Sequence, residues 1–192
     1  MQQLKLNSQI KIALLGAIAF LLMFLEFPIL PAAPFLKMDL SDLPALMGTF
    51  ALGPVAGVAI ELIKNILHVL IKGSGTALAG ELANFTIGTV WVVVTGLIYK
   101  VNKTTKGAII GLVLGTLALT VAGILGNYYV FMPLYNHVAP ILDKANMKYL
   151  LTIITPFNLI KGCGVSIVTL VLYKRLSPIL NKEVVVKNKK VA

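Results

Sequence analysis

The chain has 192 residues, of which 58% are hydrophobic and 12% are charged, and its mean hydropathy is +0.91. Soluble proteins carry about 25% charged residues, so this chain has too few polar side chains to cover a soluble surface, and we predict an integral membrane protein. The net charge of +10 does not indicate a nucleic-acid partner, because the basic residues cluster at the ends of apolar segments rather than along a stripe with aromatic residues.

The first predicted element is a membrane-spanning helix at about residues 8–27. A membrane span needs roughly 20 mainly apolar residues, and this stretch has that length. We expect it to be retained, since no small-residue cleavage site of a signal peptide follows it. The next stretch, FPILPAAPFLKMDLSD, is rich in proline and cannot form a regular helix. We expect it to be irregular and to pack against protein rather than lipid.

The rest of the chain reads as five further helices and a tail. A short helix is predicted at 42–52, where Ser41 or Asp42 can cap the start and Pro44 suits the first turn. Longer helices are predicted at about 54–71, 81–99, 108–132 and 148–173, with loops at 72–80 and 133–147. The residues after the last helix are basic, and we expect them to be frayed.

The predicted fold class is therefore all-α, a polytopic membrane protein with a six-transmembrane-helix bundle. Residues 1–176 form the membrane domain, and residues 177–192 form a basic cytoplasmic tail. Lysines are more frequent at one set of helix ends, which predicts that the N and C termini are both cytoplasmic. The long loops at 28–41, 72–80 and 133–147 then lie outside, as expected for a receptor of something that arrives from outside.

Two lysines lie inside apolar helices, where a charge is costly and usually marks a cavity or a partner. Lys64 has Glu61 three residues before it and His68 four residues after it, so the three side chains can share one helix face. Two interpretations stay open. In the first, Glu61 and Lys64 form a structural ion pair. In the second, the three residues act as a proton relay or a substrate contact.

The second lysine, Lys161, has no carboxylate nearby in its own helix, so we interpret it as a hydrogen-bond donor in a pocket rather than as half of an ion pair. Asn158 lies one turn before it on the same face, and Pro156 weakens the helix at this point. Asn127 and Asn84 occupy polar positions in two other predicted helices. We expect these three asparagines and Lys161 to converge on one pocket; the alternative is that the asparagines only form hydrogen bonds between helices.

No catalytic constellation accompanies these polar residues in the sequence. There is no Ser–His–Asp order, no pair of carboxylates and no cluster of metal ligands. The glycine-rich stretch KGSGTAL lacks the GK(S/T) end of a phosphate-binding loop. We therefore expect a binding protein rather than an enzyme, with no cofactor and no metal.

Three segments carry a resemblance to a known family. They are KMDLSDLPALMGTFALGPVAGVAIELIKNILH, GELANFTIG and NLIKG. Together with the helix count, they resemble the substrate-binding S component of an energy-coupling factor (ECF) vitamin transporter, and more narrowly its riboflavin-specific members. The resemblance covers nearly the whole chain. It implies a multi-pass protein of the bacterial plasma membrane that captures riboflavin outside, with the first outer loop as a lid.

The resemblance also implies partners and roles for residues. A transmembrane T subunit and two ATPases on separate chains would complete the transporter, with the small residues of ALLGAIAF, namely Ala13, Gly16 and Ala17, docking on the T subunit. Lys161 and Asn158 would donate to a carbonyl or ribityl oxygen, Asn127 would read a mixed donor–acceptor edge, and Asn84 would line the same pocket. Four further residues would cover the flavin ring: Met38, Leu40, Ala79 and Leu82.

Two alternatives stay open at this point. The first is an S component for another vitamin, such as thiamine, folate or pantothenate; Trp91 is the only tryptophan, which does not favour the aromatic stacking expected for thiamine. The second is a proton-coupled secondary transporter that acts alone through Glu61, Lys64 and His68. No inverted repeat between the two halves supports it.

Overall fold

The structure, a computed structural model, describes residues 2–31, 33, 36–138 and 147–189. Its helices are α1 (Gln2–Met23), α2 (Asp42–Leu52), α3 (Pro54–Lys72), α4 (Ala79–Val101), α5 (Thr105–Gly126), α6 (Met132–Val138), α7 (Met147–Tyr149) and α8 (Thr155–Lys189). Two π-helical segments, Asn127–Phe131 and Leu150–Ile154, lie between α5 and α6 and between α7 and α8. A short antiparallel pair of strands, β1 (Phe27–Pro28) and β2 (Lys37–Met38), lies between α1 and α2.

Five helical stretches of the described chain are long and apolar enough to cross a membrane. They are Leu6–Met23, Pro54–Lys72, Ala79–Val101, Thr105–Tyr135 and Met147–Tyr173. Helix α2 is apolar but has only 11 residues, so it covers about 16 Å of a hydrocarbon layer about 30 Å thick. The predicted all-α membrane bundle is confirmed, with α2 as a short sixth helix. The cytoplasmic location of both termini stays a prediction.

Large hydrophobic side chains cover the outside of the bundle. Leu14 of α1, Val113 of α5 and Ile167 of α8 are 60%, 55% and 63% exposed, respectively. Contiguous apolar surface of this kind marks a contact with lipid or protein rather than with water. The outward faces of these helices therefore agree with a bilayer as the surrounding medium.

Small residues bring α4 and α5 into close contact. A Cβ atom at Gly115 would lie 2.2 Å from Thr95 Oγ1 and 2.8 Å from Trp91 Cδ1, so the helices can approach this closely only because residue 115 is glycine. The Thr95 hydroxyl donates to the carbonyl oxygen of Gly111 at 3.1 Å. Close packing at small residues and interhelical hydrogen bonds both drive helix association in membranes. The contact fixes α4 against α5.

Aromatic side chains of three helices form a cluster. Phe50 near the end of α2, Tyr99 near the end of α4 and Tyr173 on α8 pack edge-to-face, with ring centroids 4.8 to 5.8 Å apart. The hydroxyl groups of Tyr99 and Tyr173 are 2.9 Å apart and form a hydrogen bond. Edge-to-face pairs add stability beyond the area that they bury. This cluster, called the inner aromatic cluster below, joins α2, α4 and α8.

Three segments differ from the sequence-based expectations. The prediction of a loop at 133–147 is wrong in its first part, because α6 continues to Val138. Pro133 is the second residue of α6, and proline is tolerated in the first turn of a helix. Residues 139–146 of that loop lie outside the described residues. The tail is helical to Lys189 rather than frayed, and its sequence after Pro178 has no glycine or proline to end a helix. The proline-rich stretch is not wholly irregular, because it contains β1 and β2.

Helix α1 packs on α3 through a small residue. Gly16 is buried, and a Cβ atom there would lie 2.6 Å from Cγ2 of Ile63. Ala13 is exposed and Ala17 is half-buried. Gly16 thus belongs to an internal contact, whereas Ala13 and Ala17 remain accessible on the outer side of α1. A docking role for these residues stays a prediction.

Candidate ligand-binding cavity

A cavity of about 560 Å³ opens at the end of the bundle where α2, α4 and α8 begin and α3 and α5 finish. Small-molecule sites in proteins usually enclose about 300 to 1,000 Å³, so this cavity has the size of a single small ligand. Its wall combines apolar side chains with a few polar ones. The apolar part comes from Met23, Leu36, Ile87, Leu119, Ile154 and Phe157.

The structure brings the three predicted asparagines and Lys161 to this one cavity. Asn84 lines it from α4, Asn127 from the first π-helical segment, and Asn158 and Lys161 from α8. Asn127, Asn158 and Lys161 are buried, with exposed fractions of 7%, 4% and 7%. Amide groups both donate and accept hydrogen bonds, whereas an ammonium only donates. The convergence expected from the sequence is therefore present; contact of these residues with a ligand stays a prediction.

The π-helical segments place two of these amides. Asn127 is the first residue of the segment Asn127–Phe131, and its Nδ2 donates to the carbonyl oxygen of Gly123 at 2.7 Å. Asn158 follows the segment Leu150–Ile154 by one turn and packs against Gly123, where a Cβ atom would lie 2.1 Å from Asn158 Nδ2. Pro156 lacks an N–H, which loosens the helix at this point. Short π-helical turns are frequent at functional sites.

Lys161 forms an ion pair that its own helix does not reveal. Its Nζ is 2.8 Å from Oδ2 of Asp42, the first residue of α2. The sequence-based expectation of a lysine outside any ion pair is therefore wrong, because the carboxylate arrives from a helix that is distant in the sequence. An ammonium has three N–H donors, so Lys161 can be held by Asp42 and still donate into the cavity.

Lys64 lies behind this pair and completes a buried ionic cluster. Its Nζ contacts Asp42 Oδ1, is 2.8 Å from Glu61 Oε2 and donates to Ser41 Oγ at 3.0 Å. The ion pair predicted between Glu61 and Lys64 is confirmed. The distance is that of an ion pair, but neither carboxylate oxygen of Glu61 has a hydrogen-bond partner among the described residues. Removing one partner of such a buried cluster is strongly destabilising.

His68 does not join Glu61 and Lys64. It lines the cavity, and its nearest carboxylate is that of Glu81 on α4, with Nδ1 and Oε1 3.4 Å apart. The other oxygen of Glu81 accepts from Ser74 at 2.8 Å and from Thr76 at 3.2 Å. These contacts tie the start of α4 to the loop that follows α3.

Three charged residues close one side of the cavity mouth. Glu26, after α1, accepts from Lys37 of β2 at 2.8 Å and pairs with Lys72 at the end of α3. Burial of Glu26 favours its neutral form, but the hydrogen bonds and charges of the two lysines outweigh it and lower the pKa of this carboxyl below its usual value. The proline-rich stretch is thereby fastened to α1 and α3.

The apolar residues predicted to cover the ring are not among the described residues that line the cavity. Met38 reaches towards Gly164 and Leu40 packs against the hydrophobic core. Ala79 is buried and Leu82 is 44% exposed. Their role in binding stays a prediction.

Several residues that line the cavity were not predicted from the sequence as part of the site: Glu26, Lys37, Asp42, Lys72, Glu81 and Tyr135. The signal available for Asp42 was its place in the distinctive run that begins at Lys37. The others lie at helix ends or in connections, where charged and polar residues are ordinary and give no signal by themselves.

Comparison with known proteins identifies the family. Residues 7–173 match the family described as "ECF transporter, substrate-specific component". The chain belongs to this family. The resemblance seen in the sequence is therefore confirmed, and the protein is a non-enzymatic substrate-specific component of a transporter in the cell membrane.

Relatives and a solved structure agree with this assignment. The "Riboflavin transporter RibU" of Staphylococcus aureus (strain TCH60) is 40% identical over 185 residues, covering 93% of this chain and 97% of the relative. The "Riboflavin transporter FmnP" of Bacillus subtilis (strain 168) is 34% identical over 184 residues, covering 94% and 97%. A solved S component of a bacterial ECF transporter superposes with a TM-score of 0.80 at 39% identity, covering 92% of this chain and 98% of that one.

Proposed function

We propose that this chain is the riboflavin-binding S component of an ECF-type vitamin uptake transporter. It captures riboflavin from outside and delivers it inward together with a transmembrane T subunit and two ATPase subunits. The observation that carries the proposal is that relatives named as riboflavin transporters match almost the full length of the chain at up to 40% identity. The cavity supports it, since it has the size and the polar groups that one flavin requires.

The charge balance of the cavity favours an uncharged ligand. Riboflavin is a neutral flavin with an apolar ring edge, an amide-like edge of carbonyls and an N–H, and a hydroxylated ribityl chain. Asp42 compensates the charge of Lys161, so the lysine is available as a hydrogen-bond donor without calling for an anionic ligand. Asn127 and Asn158 supply donors and acceptors for the ring edge, and the apolar wall packs on the ring.

The first experiment measures ligand identity. The purified protein in detergent is titrated with riboflavin, whose fluorescence is quenched on binding in an apolar site, and with thiamine, folate and pantothenate as competitors. We expect saturable riboflavin binding that none of the competitors displaces, and a yellow flavin spectrum when the vitamin co-purifies. A protein that binds thiamine, folate or pantothenate and not riboflavin would contradict the proposal.

A second experiment measures the partners. Vesicles that contain this chain alone should bind riboflavin but not accumulate it, and accumulation should require the T subunit, the ATPases and ATP. Substituting Ala13 and Ala17 by leucine should abolish accumulation and leave binding intact, since bulk on this face prevents close helix approach. Ala51→Leu, on an exposed face of α2, is the matched control. Accumulation driven by a proton gradient without partners would contradict this part of the proposal.

A further inference from the structure

His68 has an unexplained place in the cavity wall. Its side chain is only 10% exposed, and neither ring nitrogen has a hydrogen-bond partner among the residues that the structure describes. The Glu81 carboxylate at 3.4 Å is within ion-pair range of Nδ1, but its approach lacks hydrogen-bond geometry. Buried polar side-chain atoms are almost always hydrogen-bonded. A buried imidazole without such a partner, in the wall of a ligand cavity, points to a partner that occupies the cavity.

The neighbouring carboxylate decides which kind of partner fits. Ser74 and Thr76 hold one oxygen of Glu81, which leaves Oε1 next to Nδ1 of His68. A neutral imidazole carries its proton on one nitrogen and accepts on the other, and the environment of each nitrogen selects the tautomer. A carboxylate beside Nδ1 favours the proton there, so Nε2 is an acceptor. His68 is then suited to an O–H or N–H donor of the ligand.

The position of His68 indicates which part of the ligand it meets. Two groups of polar residues line the cavity. Asn127 and Asn158 both contact Gly123, and Lys161 follows Asn158 by one turn. His68 lies beside Glu81, and Asn84 follows Glu81 by one turn of α4. A flavin also has two polar parts, the amide-like ring edge and the ribityl chain. With the ring edge at Asn127 and Asn158, the chain lies towards His68.

Building on the proposed function, we propose that His68 accepts a hydrogen bond from a ribityl hydroxyl and thereby makes the site selective for the hydroxylated chain. This hydrogen bond requires the neutral imidazole, because a protonated imidazole has two donors and no acceptor. Other charged groups share this part of the structure. They are Lys64 and Lys72 on the same helix, Glu81 on α4, Glu26 and Lys37 at the mouth, and Asp39, Asp42 and Lys161 elsewhere in the wall.

The decisive comparison uses riboflavin and lumiflavin, a flavin with a methyl group in place of the ribityl chain. Wild type and His68→Phe are titrated with both ligands at neutral pH. We expect His68→Phe to lose about tenfold in riboflavin affinity, the equivalent of one hydrogen bond, and to bind lumiflavin as wild type does. Unchanged riboflavin affinity, or equal losses for both ligands, would overturn the assignment. A wild type that binds no riboflavin contradicts the proposed function itself.

A milder variant provides an independent readout. Glutamine can both donate and accept hydrogen bonds, so His68→Gln should keep most of the riboflavin affinity that His68→Phe loses, and it should bind lumiflavin as wild type does. His137→Gln removes the other histidine of the chain and should behave as wild type. A His68→Gln protein that loses as much riboflavin affinity as His68→Phe would refute the role of His68 as a hydrogen-bond acceptor.

Discussion

The two ends of the bundle are built with different chemistry on the same helices. Helix α2 begins at Asp42, within the buried ionic cluster, and contributes Phe50 to the inner aromatic cluster. Helix α8 likewise carries Lys161 at the cavity and Tyr173 in the aromatic cluster. Among the described residues, the buried charges and the cavity lie at one end and the aromatic packing contact lies at the other, so we expect ligand recognition at the first end and a structural role at the second.

This division has an energetic reason. Charged side chains inside a membrane are costly unless they are paired or face a cavity. Asp42 and Lys161 are paired and line the cavity, and Lys64 is paired behind them. The aromatic cluster contains no charged side chain, and the hydroxyls of Tyr99 and Tyr173 form a hydrogen bond with each other. Substitutions at the two ends should therefore separate effects on binding from effects on stability alone.

The largest effect is expected from Asp42→Asn. This change removes the carboxylate between two buried lysines and leaves Glu61 to compensate Lys64 and Asp39 to compensate Lys161. Breaking a buried ion pair costs about 3 to 5 kcal/mol, so the thermal unfolding midpoint in detergent should fall steeply and riboflavin binding should be lost. Glu61→Gln, at the edge of the same cluster, should be milder. A thermal midpoint of Asp42→Asn equal to that of wild type would mean that the cluster does not hold the site.

The second-largest effect is expected from Gly123→Ala, which tests the role of Asn158 without replacing that residue. In Gly123→Ala the new Cβ would lie 2.1 Å from Asn158 Nδ2, so the amide must move. We expect about tenfold weaker riboflavin binding and a loss of stability of about 1 to 3 kcal/mol, because the new methyl group overpacks a buried contact. Gly75→Ala is the matched control, since it lines the cavity but its Cβ would meet nothing within 4 Å. Equal affinities of both variants would show that Asn158 makes no contact with the ligand.

A smaller effect is expected at the inner aromatic cluster. Tyr173→Phe removes the hydrogen bond to Tyr99 and keeps the ring contacts. The loss should be about 1 kcal/mol, seen as a drop of a few degrees in the thermal midpoint, with riboflavin affinity within twofold of wild type. A marked loss of affinity would refute the separation of the two ends.

The smallest effect concerns the mouth. Glu26→Gln weakens the contacts to Lys37 and Lys72, and ion pairs of this exposed kind are worth up to about 1 kcal/mol. We expect faster hydrogen exchange of residues 27–31 and 36–38 in the variant. A high salt concentration should speed hydrogen exchange of the same residues in wild type, because salt screens such ion pairs. Equal exchange in variant and wild type would show that these pairs do not fasten the proline-rich stretch.

The pH dependence of the same pairs has a definite sign. The pKa of Glu26 is lower in the folded protein than its usual value of 4.5. Its contribution to stability is therefore fully present above that value and is lost as the pH falls through the lower folded pKa. The difference in hydrogen exchange between wild type and Glu26→Gln at residues 27–31 and 36–38 should therefore stay constant between about pH 7 and about pH 5. A Glu26-dependent change within that window would contradict the lowered pKa.

Much of the fold was predictable from local patterns. Helix α2 was predicted with the bounds that it has, Asp42–Leu52, because Ser41, Asp42 and a proline mark its start in the sequence and Gly53-Pro54 its end. The expected side-chain cap is wrong, since Ser41 makes no capping hydrogen bond and its hydroxyl accepts from Lys64 instead. The continuation of α6 beyond Pro133 was missed, since proline suits both a loop and the first turn of a helix. Helix ends depend on tertiary contacts that a local pattern does not contain.

The candidate site was predictable only in its intramembrane part. Lys161, Asn158 and Asn127 stand out because polar groups are rare in apolar helices. The partner of Lys161 was not predictable from its own helix, since the contact with Asp42 depends on how α2 and α8 pack. Residues at the mouth, such as Glu26 and Lys37, carry no local signal, because charges at helix ends are common.

The most direct test of the account is a riboflavin titration of Lys161→Ala beside wild type and Tyr173→Phe, with binding read from the quenching of flavin fluorescence. A charged donor that meets a ligand oxygen in a buried site contributes about 1.5 to 3 kcal/mol. The account predicts that Lys161→Ala weakens binding about tenfold to a hundredfold, while Tyr173→Phe binds as wild type does. A Lys161→Ala protein that binds riboflavin within twofold of wild type would contradict the placement of the vitamin against this lysine.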